Sequence, residues 1–309
     1  MDSDIIPRVP LEALKQELTD EKRLRNCTRG GNIIYAVTWQ DSPNVVRELG
    51  RLREISFRAA GGGTGSELDL DEFDTSPSPY HQLVVWSPEK EEILGGYRYK
   101  LGSEVELDDE GQPRLSTSHM FRFSPTFLRD YLPYTIELGR SFVVRDPQSP
   151  RKSLYALDNL WDGLGALIAS TPSCRYMFGK FTMYPRYDRL SRDMILYFLS
   201  LYFHDDDHLV ETKNPLALEH KAEEFSYMFC GNDFFRDYKA LSAAIRKRGY
   251  VIPPLVNTYM TLSLTSRIFG TAINDEFGNV EETGILVTVS DINQATRLRY
   301  IDSFTKTEK

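Results

Sequence analysis

The sequence predicts a mixed α/β (α+β) fold, with one central sheet of mixed strand direction and helices on both faces. Three observations carry that expectation. Helix-period and strand-period segments follow in the order α-β-α-β-β, then β-α-β-α, an inserted segment and closing strands. Two strands are joined by the short turn "PEKE", whereas others are separated by whole helices, so hairpin and crossover connections coexist. The 309 residues, 41% hydrophobic and 27% charged, suit a single large domain with a substantial core.

Residues 10–24 read as a helix, with Pro10 at its start and Leu11, Leu14 and Leu18 on one face. Residues 1–29 are accordingly expected to be an N-terminal helical extension. "GGNIIYAVTWQD" (30–41) is a strand between glycines and an Asp. Residues 42–60 form a strong helix, with Ser42 as N-cap, Pro43 in the first turn, and Val45, Val46, Leu49 and Leu52 inward. Residues 61–79 are a loop rich in Gly, acid and Pro, whose "GGGTG" reads as a flexible lid or hinge. Residues 80–87 and 92–101 form an antiparallel hairpin, and 102–133 follow no clear period. "PYTIELGRSFVVRD" (133–146) is a strand, 150–172 a helix with Leu157, Trp161 and Leu164 inward, 174–184 a strand and 187–203 a helix. Residues 205–248 read as a helical insertion. "VNTYMTLS", "TSRIFGTAINDEF" and "VEETGILVTVSDI" are expected as the closing strands.

Several function classes fall away. A net charge of −8 and a pI near 5.3 argue against broad nucleic-acid binding. Cys27, Cys174 and Cys230 have neither zinc spacing nor the pairing of a disulfide framework. No apolar run approaches the ~18 residues of a membrane span, and the N-terminus lacks a basic n-region and an apolar h-region. The expectation is a cytoplasmic protein whose only membrane contact is peripheral, at the inner membrane. The phosphate-loop and nucleophile-elbow motifs are absent from the sequence. No bound cofactor and no metal is expected. "HDDDH" (204–208) reads as a solvated turn at a helix end.

Four stretches remain as candidate chemistry. The acidic loop "DLDEFD" holds Asp69, Asp71 and Asp74, with Arg51, Arg53 and Arg58 on the helix before it as possible cationic partners. "GGYRYK" places Arg98 mid-strand, either snorkelling to solvent or serving a site. "SPRKS" (149–153) offers Arg151, Lys152 and Ser153 at a helix start, which favours an anion or a solvated turn. "TIELGRSFVV" puts Glu137 and Arg140 inside a buried strand three residues apart, where regular alternation sends them to opposite faces.

Taken in order, "LREISF", "DLDEFD", "YHQLVVW…ILGGYRYK" and "ELGRSFV" resemble the motifs of acyl-homoserine lactone synthases. "ELGRSFV" running into "NLWDGLGALI", then "FGKFTMYPRY", is more similar still to the hemolysin-like N-acyltransferases that make ornithine or glycine lipids. The resemblance spans residues 45–200 and 250–304. It implies a GNAT fold and transfer of a fatty acyl group, often 3-hydroxyacyl, from acyl carrier protein to the α-amine of an amino acid. By motif match, it makes Arg53, Asp71 and Asp74 an ion cluster, Arg98 the hairpin arginine and Arg140 the strand arginine. Glu137 becomes the carboxylate that assists amine deprotonation.

The same resemblance puts a β-bulge in this central strand, and Gly139, between the two charges, is its expected place. Backbone N–H groups near Phe142, Val143 and Val144 would hold the donor thioester. The GNAT pyrophosphate loop R/Q-x-x-G-x-G/A is missing between Val144 and Leu154. That favours acyl carrier protein, which presents one phosphate, over acyl-CoA. Docking of an acidic carrier is expected on Arg151 and Lys152 or on "RKR" (246–248). An acetyl-CoA-dependent acetyltransferase and a non-catalytic acyl-binding or lytic protein are the competing readings. The acceptor amino acid, the chain length and the oligomeric state stay open at this level.

Overall fold

A computed structural model describes residues 2–144 and 150–304, without the side chains of 150–154. Its centre is an eight-stranded sheet in the order β1-β2-β3-β4-β6-β7-β10-β9. The strands are β1 (Arg23–Asn26), β2 (Ile33–Val37), β3 (His81–Ser87), β4 (Glu92–Leu101), β6 (Thr135–Val143), β7 (Tyr176–Met183), β9 (Arg267–Asn274) and β10 (Val280–Thr288). A separate ribbon pairs β5 (Phe121–Phe123) with β8 (Val210–Thr212). The expected mixed α/β class is the one observed.

All neighbours in the large sheet are antiparallel except β6 and β7. Those two are parallel, and their register covers only Thr135–Glu137 against Tyr176–Phe178. Beyond Glu137 they diverge. The connection between them is helix α4 (Pro150–Ser170), as a parallel crossover requires.

Side-chain alternation sorts the two faces. Leu83, Val85, Tyr97 and Tyr99 point to α4 and pack with Leu160 and Leu164. Val84, Trp86, Tyr35 and Val37 point the other way, against α1 (Leu11–Glu17) and α2 (Pro43–Ala60). A third aromatic cluster, built from Tyr80, Phe121, Phe123, Phe127 and Phe178, closes the end of the sheet that the small ribbon covers. Helices α5 (Arg189–Tyr202), α6 (Phe234–Lys247) and α7 (Pro254–Leu262) pack on the α4 side. Among the described residues no helix is long and apolar enough to cross a membrane.

Several expectations are corrected. The predicted helix over 10–24 stops at Glu17, and Arg23–Asn26 becomes the edge strand β1, so the expected 1–29 helical extension also supplies a strand to the sheet. Ser42 makes no capping bond; the Glu17 carboxylate accepts from the Asn44 and Val45 N–H groups instead. The "GGGTG" stretch is pinned, because Glu54 accepts from Thr64 N, Thr64 Oγ1 and Gly65 N. The 205–248 segment is helical only from Phe234; before that it carries β8 and single turns. "VNTYMTLS" is helix rather than strand. Pro254 opens α7, and Val256 and Met260, four apart, are both buried. In "HDDDH", Asp205 and Asp207 pair with Arg267.

Candidate functional site

The divergence of β6 and β7 opens a cavity of about 650 Å³ that runs through the sheet. Its edges are Leu138–Ser141 on β6 and Lys180, Thr182 and Met183 on β7. On the α4 side its walls are apolar: Leu157, Leu160, Trp161 and Leu164 of α4, with Tyr259 of α7 opposite. On the α2 side it meets Arg140, Lys180, Thr182 and Glu282, with Phe57 and Phe277 beside them. The sheet therefore divides one cavity into an apolar half and a charged half.

The bulge that shapes β6 is present, but not at Gly139. Gly139 pairs normally with Arg98, and Phe142 with Gly96, leaving two residues of β6, Arg140 and Ser141, opposite the single residue Tyr97. Arg140 has φ +52°, in the left-handed region. The extra residue shifts the alternation by one. Phe142 thus joins the α2-side core, and Arg140 swings to the same side as Glu137 and Gly139. A left-handed, non-glycine residue at a bulge leaves no mark in a strand-period pattern, which is why the expected position was one residue early.

Glu137 and Arg140 now share a face, yet they do not bond to each other. Arg140 Nε lies 3.2 Å from Asp69 Oδ1 and Nη2 lies 3.6 Å from Asp71, and its guanidinium stacks 4.4 Å from the Phe277 ring centre. Glu137 is fully buried. It accepts from the Tyr80 hydroxyl, from Thr117 Oγ1 at 2.7 Å and from Ser116 Oγ at 3.3 Å. Burial raises its pKa above the usual carboxylate value, and the Tyr80 and Thr117 bonds and the charges of Arg98 and Lys180 offset that rise only in part.

Between these groups lies a closed ion network. Arg53 bonds Asp74 at 3.1 Å and also holds Gln82; Arg98 bonds Asp71 at 2.6 Å and Asp74 at 2.9 Å. A one-turn helix, α3 (Glu72–Thr75), carries Asp74 inward, and Asp71 and Asp74 cap that turn reciprocally. Burial alone would raise the Asp74 pKa, but Arg53 and Arg98 outweigh it and hold the carboxyl well below its ordinary value. Arg98 is covered by the Phe73 and Tyr80 rings, so it is no snorkelling residue and it does not line the cavity. Of the three candidate cations on α2, only Arg53 reaches the acidic loop; Arg51 pairs with Glu48 and Arg58 with Glu54.

The donor-side expectations are placed as follows. Val144 N–H bonds Leu94 O at 2.9 Å, toward β4. By alternation the Phe142 N–H also faces β4 and the Val143 N–H faces the gap. Of the three, only Val143 turns its N–H away from β4, and none of them lines the cavity. Residues 145–149, and the side chains of Arg151, Lys152 and Ser153, lie outside the described residues. In "RKR", Arg248 is held bidentate by Asp188, leaving Arg246 and Lys247 exposed.

The sequence reading missed Lys180 and Glu282. They sit on β7 and β10, pair with each other, and face the cavity from the α2 side. Glu282 also accepts from Asn274 Nδ2 at 2.7 Å and Thr182 Oγ1 at 3.1 Å. Burial would raise its pKa; Lys180 and Asn274 reverse the shift and keep it below the usual value. Inside "FGKFTMY" and "VEETGILV" a charge alternating with apolar residues reads as an outward-facing strand position, and only the divergence of β6 from β7 turns that position into a cavity wall.

The GNAT family model agrees with this architecture. Residues 52–158 match the model of the acetyltransferase (GNAT) domain. A glycine N(alpha)-acyltransferase of Phocaeicola vulgatus is 58% identical over 306 residues, 98% of this chain and 94% of that protein. One from Bacteroides thetaiotaomicron is 59% identical over 304 residues, 97% of this chain and 90% of that protein. Among solved structures, a CoA-dependent acyl-homoserine lactone synthase with SAM and isopentyl-CoA aligns over 88% of this chain and 87% of its own. Its TM-score is 0.35 and its identity 12%.

Proposed function

Because the chain belongs to the family of the glycine N(alpha)-acyltransferases, GNAT-type enzymes that acylate the amine of an amino acid, we propose that its acceptor is glycine and its donor a long-chain, 3-hydroxylated acyl group on acyl carrier protein. The product is an N-acylglycine, the first intermediate of an amino-acid-containing membrane lipid. One observation carries the reading. The cavity at the diverging strands joins an apolar half, suited to a hydrocarbon chain, to a charged half, suited to an amino acid. The missing pyrophosphate loop supports a carrier-protein donor over acyl-CoA.

In this reading the donor thioester lies in the gap, its carbonyl oxygen toward the Val143 N–H and the bulge. Glycine reaches the cleft mostly as an ammonium ion, so one proton must leave before attack. Glu137 is the proposed acceptor of that proton, and its raised pKa suits the task. It does not line the cavity, so the proton travels by relay. Gly139 does line the cavity, and a side chain placed there would begin 3.8 Å from Ser116 Oγ, which bonds Glu137. A water standing where that side chain would begin, in contact with Ser116 Oγ, is the proposed link between the amine and that hydroxyl. The amine nitrogen then bonds to the carbonyl carbon, the C–S bond breaks, and the departing sulfur takes the second amine proton. An amide, a thiol and a protonated Glu137 result.

The test supplies purified enzyme with glycine and, in parallel, 3-hydroxypalmitoyl carrier protein, the same acyl-CoA, or acetyl-CoA, with products read by mass spectrometry. N-acylglycine formed fastest from the carrier-protein thioester is expected. Equal or faster turnover of acetyl-CoA would sink the donor assignment. Turnover of ornithine or lysine in preference to glycine would sink the acceptor assignment.

A further inference from the structure

We infer that Lys180 and Glu282, with Arg140, hold the acceptor's two charges: Lys180 and Arg140 take the carboxylate, and Glu282 takes the ammonium. This rests on the reading of the cavity as the site of amino-acid acylation and assigns it two residues, Lys180 and Glu282, that the motifs did not.

Arg53 and Arg98 are buried on Asp74, and none of the three lines the cavity, so they stand out of a ligand's reach. Lys180 and Arg140 keep 11% and 15% of their side-chain surface accessible and line the cavity. Glu282 lines it too and is held ionised in an otherwise costly burial. Lys180 and Arg140 thus stand beside the Glu282 carboxylate, the complement of a zwitterion, and a third cavity-lining cation, Arg186, lies by Gly61 at the end of α2. Without substrate the Lys180 ammonium rests on Glu282, where an incoming ammonium would rest. An amino acid can exchange for it: its amine replaces Nζ on Glu282, and its carboxylate accepts Nζ together with the Arg140 guanidinium.

The geometry also sets direction. Register places Lys180 and Thr182 on the same face of the sheet as Glu137, because Glu137 pairs beside Phe178, two residues before Lys180. An acceptor held there has its amine on the Glu137 side of the gap and faces a donor whose chain lies among Leu160, Trp161 and Leu164 on the other.

The test compares glycine with glycinamide, which keeps the amine and loses the carboxylate, in the wild type and in Lys180→Met and Glu282→Gln. The wild type should discriminate against glycinamide. Lys180→Met should raise the glycine KM by about ten- to one-hundred-fold, the size of a lost charge-assisted hydrogen bond. It should collapse the preference for glycine over glycinamide and leave the KM for the acyl thioester within about two-fold. Glu282→Gln should raise KM for both acceptors, since both present an amine. A rise confined to the thioester KM would overturn the assignment and place Lys180 on the donor. So would wild-type enzyme that uses glycinamide as well as glycine, an arm that needs no variant to fold. A wild type that acylates no amino acid at all would instead remove the underlying reading.

Discussion

At the scale of the residue, the two carboxylates that matter most are pushed in opposite directions. Glu137 is raised by burial, whereas Asp74 is lowered by Arg53 and Arg98 against the effect of burial. A base must be deprotonated to act, so kcat should climb with pH through a Glu137 ionisation lying above the ordinary carboxylate value. Glu137→Gln should lose about two to four orders of magnitude in kcat together with that limb of the pH profile, while thermal melting stays near that of the wild type. A full acid limb surviving in Glu137→Gln would assign the base elsewhere. Asp74 serves structure. Replacing Arg53 with Met leaves the buried Asp74 short of a partner and should cost about 3–5 kcal/mol in urea denaturation. A change under about 1 kcal/mol would show that Arg98 alone suffices.

At the scale of the element, the bulge is where the site is made. Arg140 holds φ +52°, a conformation that costs a non-glycine residue and is free to glycine. Arg140→Gly relieves that strain but leaves the buried Asp69 without its nearest cation, so it should cost about 1–4 kcal/mol of stability while weakening acceptor binding, measured as KM. A change under about 1 kcal/mol would mean that relief of the strain offsets the lost ion pair. The hairpin, the 43–60 helix and the β6-α4-β7 unit were legible in the sequence, because a proline in a first turn, a short turn and long apolar periods are local signals. The grouping of Arg53, Asp71, Asp74 and Arg98 came from motif order, and the structure brings those four together; Glu137 bonds Tyr80, Thr117 and Ser116 instead. What was not legible depends on distant partners. Arg23–Asn26 becomes a strand because Ile33–Tyr35 offers it an edge, and Ser42 yields its cap to Glu17. Lys180 acquires a site only because β6 turns away. Glycines tell the same story: an added methyl at Gly165 would sit 2.0 Å from Tyr300 O, a contact across 135 residues that no local pattern announces.

At the scale of the whole molecule, the pH response of stability follows from the depressed carboxylates. Asp74, Glu54 and Glu282 all have folded-state pKa values below their unfolded ones. Each adds stability that is complete above the unfolded value. It is lost as pH falls below about 4, because the unfolded chain then binds more protons. Asp69 and Glu137, both raised, act in the opposite sense: they favour the fold at low pH and withdraw that support as they ionise. Since the depressed group includes Asp74, whose shift is large, the net expectation is a melting temperature that drops on acidification from pH 6 to pH 3. A flat profile over that range would mean that the two sets cancel.

The three parallel rungs between Thr135–Glu137 and Tyr176–Phe178 have one more consequence. They act as a spine, and beyond them the facing edge of β6 has backbone amides without a strand to receive them. In deuterated water the amides of the spine should exchange with the solvent slowest of all in β6, and the Val143 amide, turned toward the gap, far faster. A bound thioester should slow that one amide and leave the spine as it was. The enzyme's working cleft would then be visible as a single backbone position whose clock changes when the donor arrives.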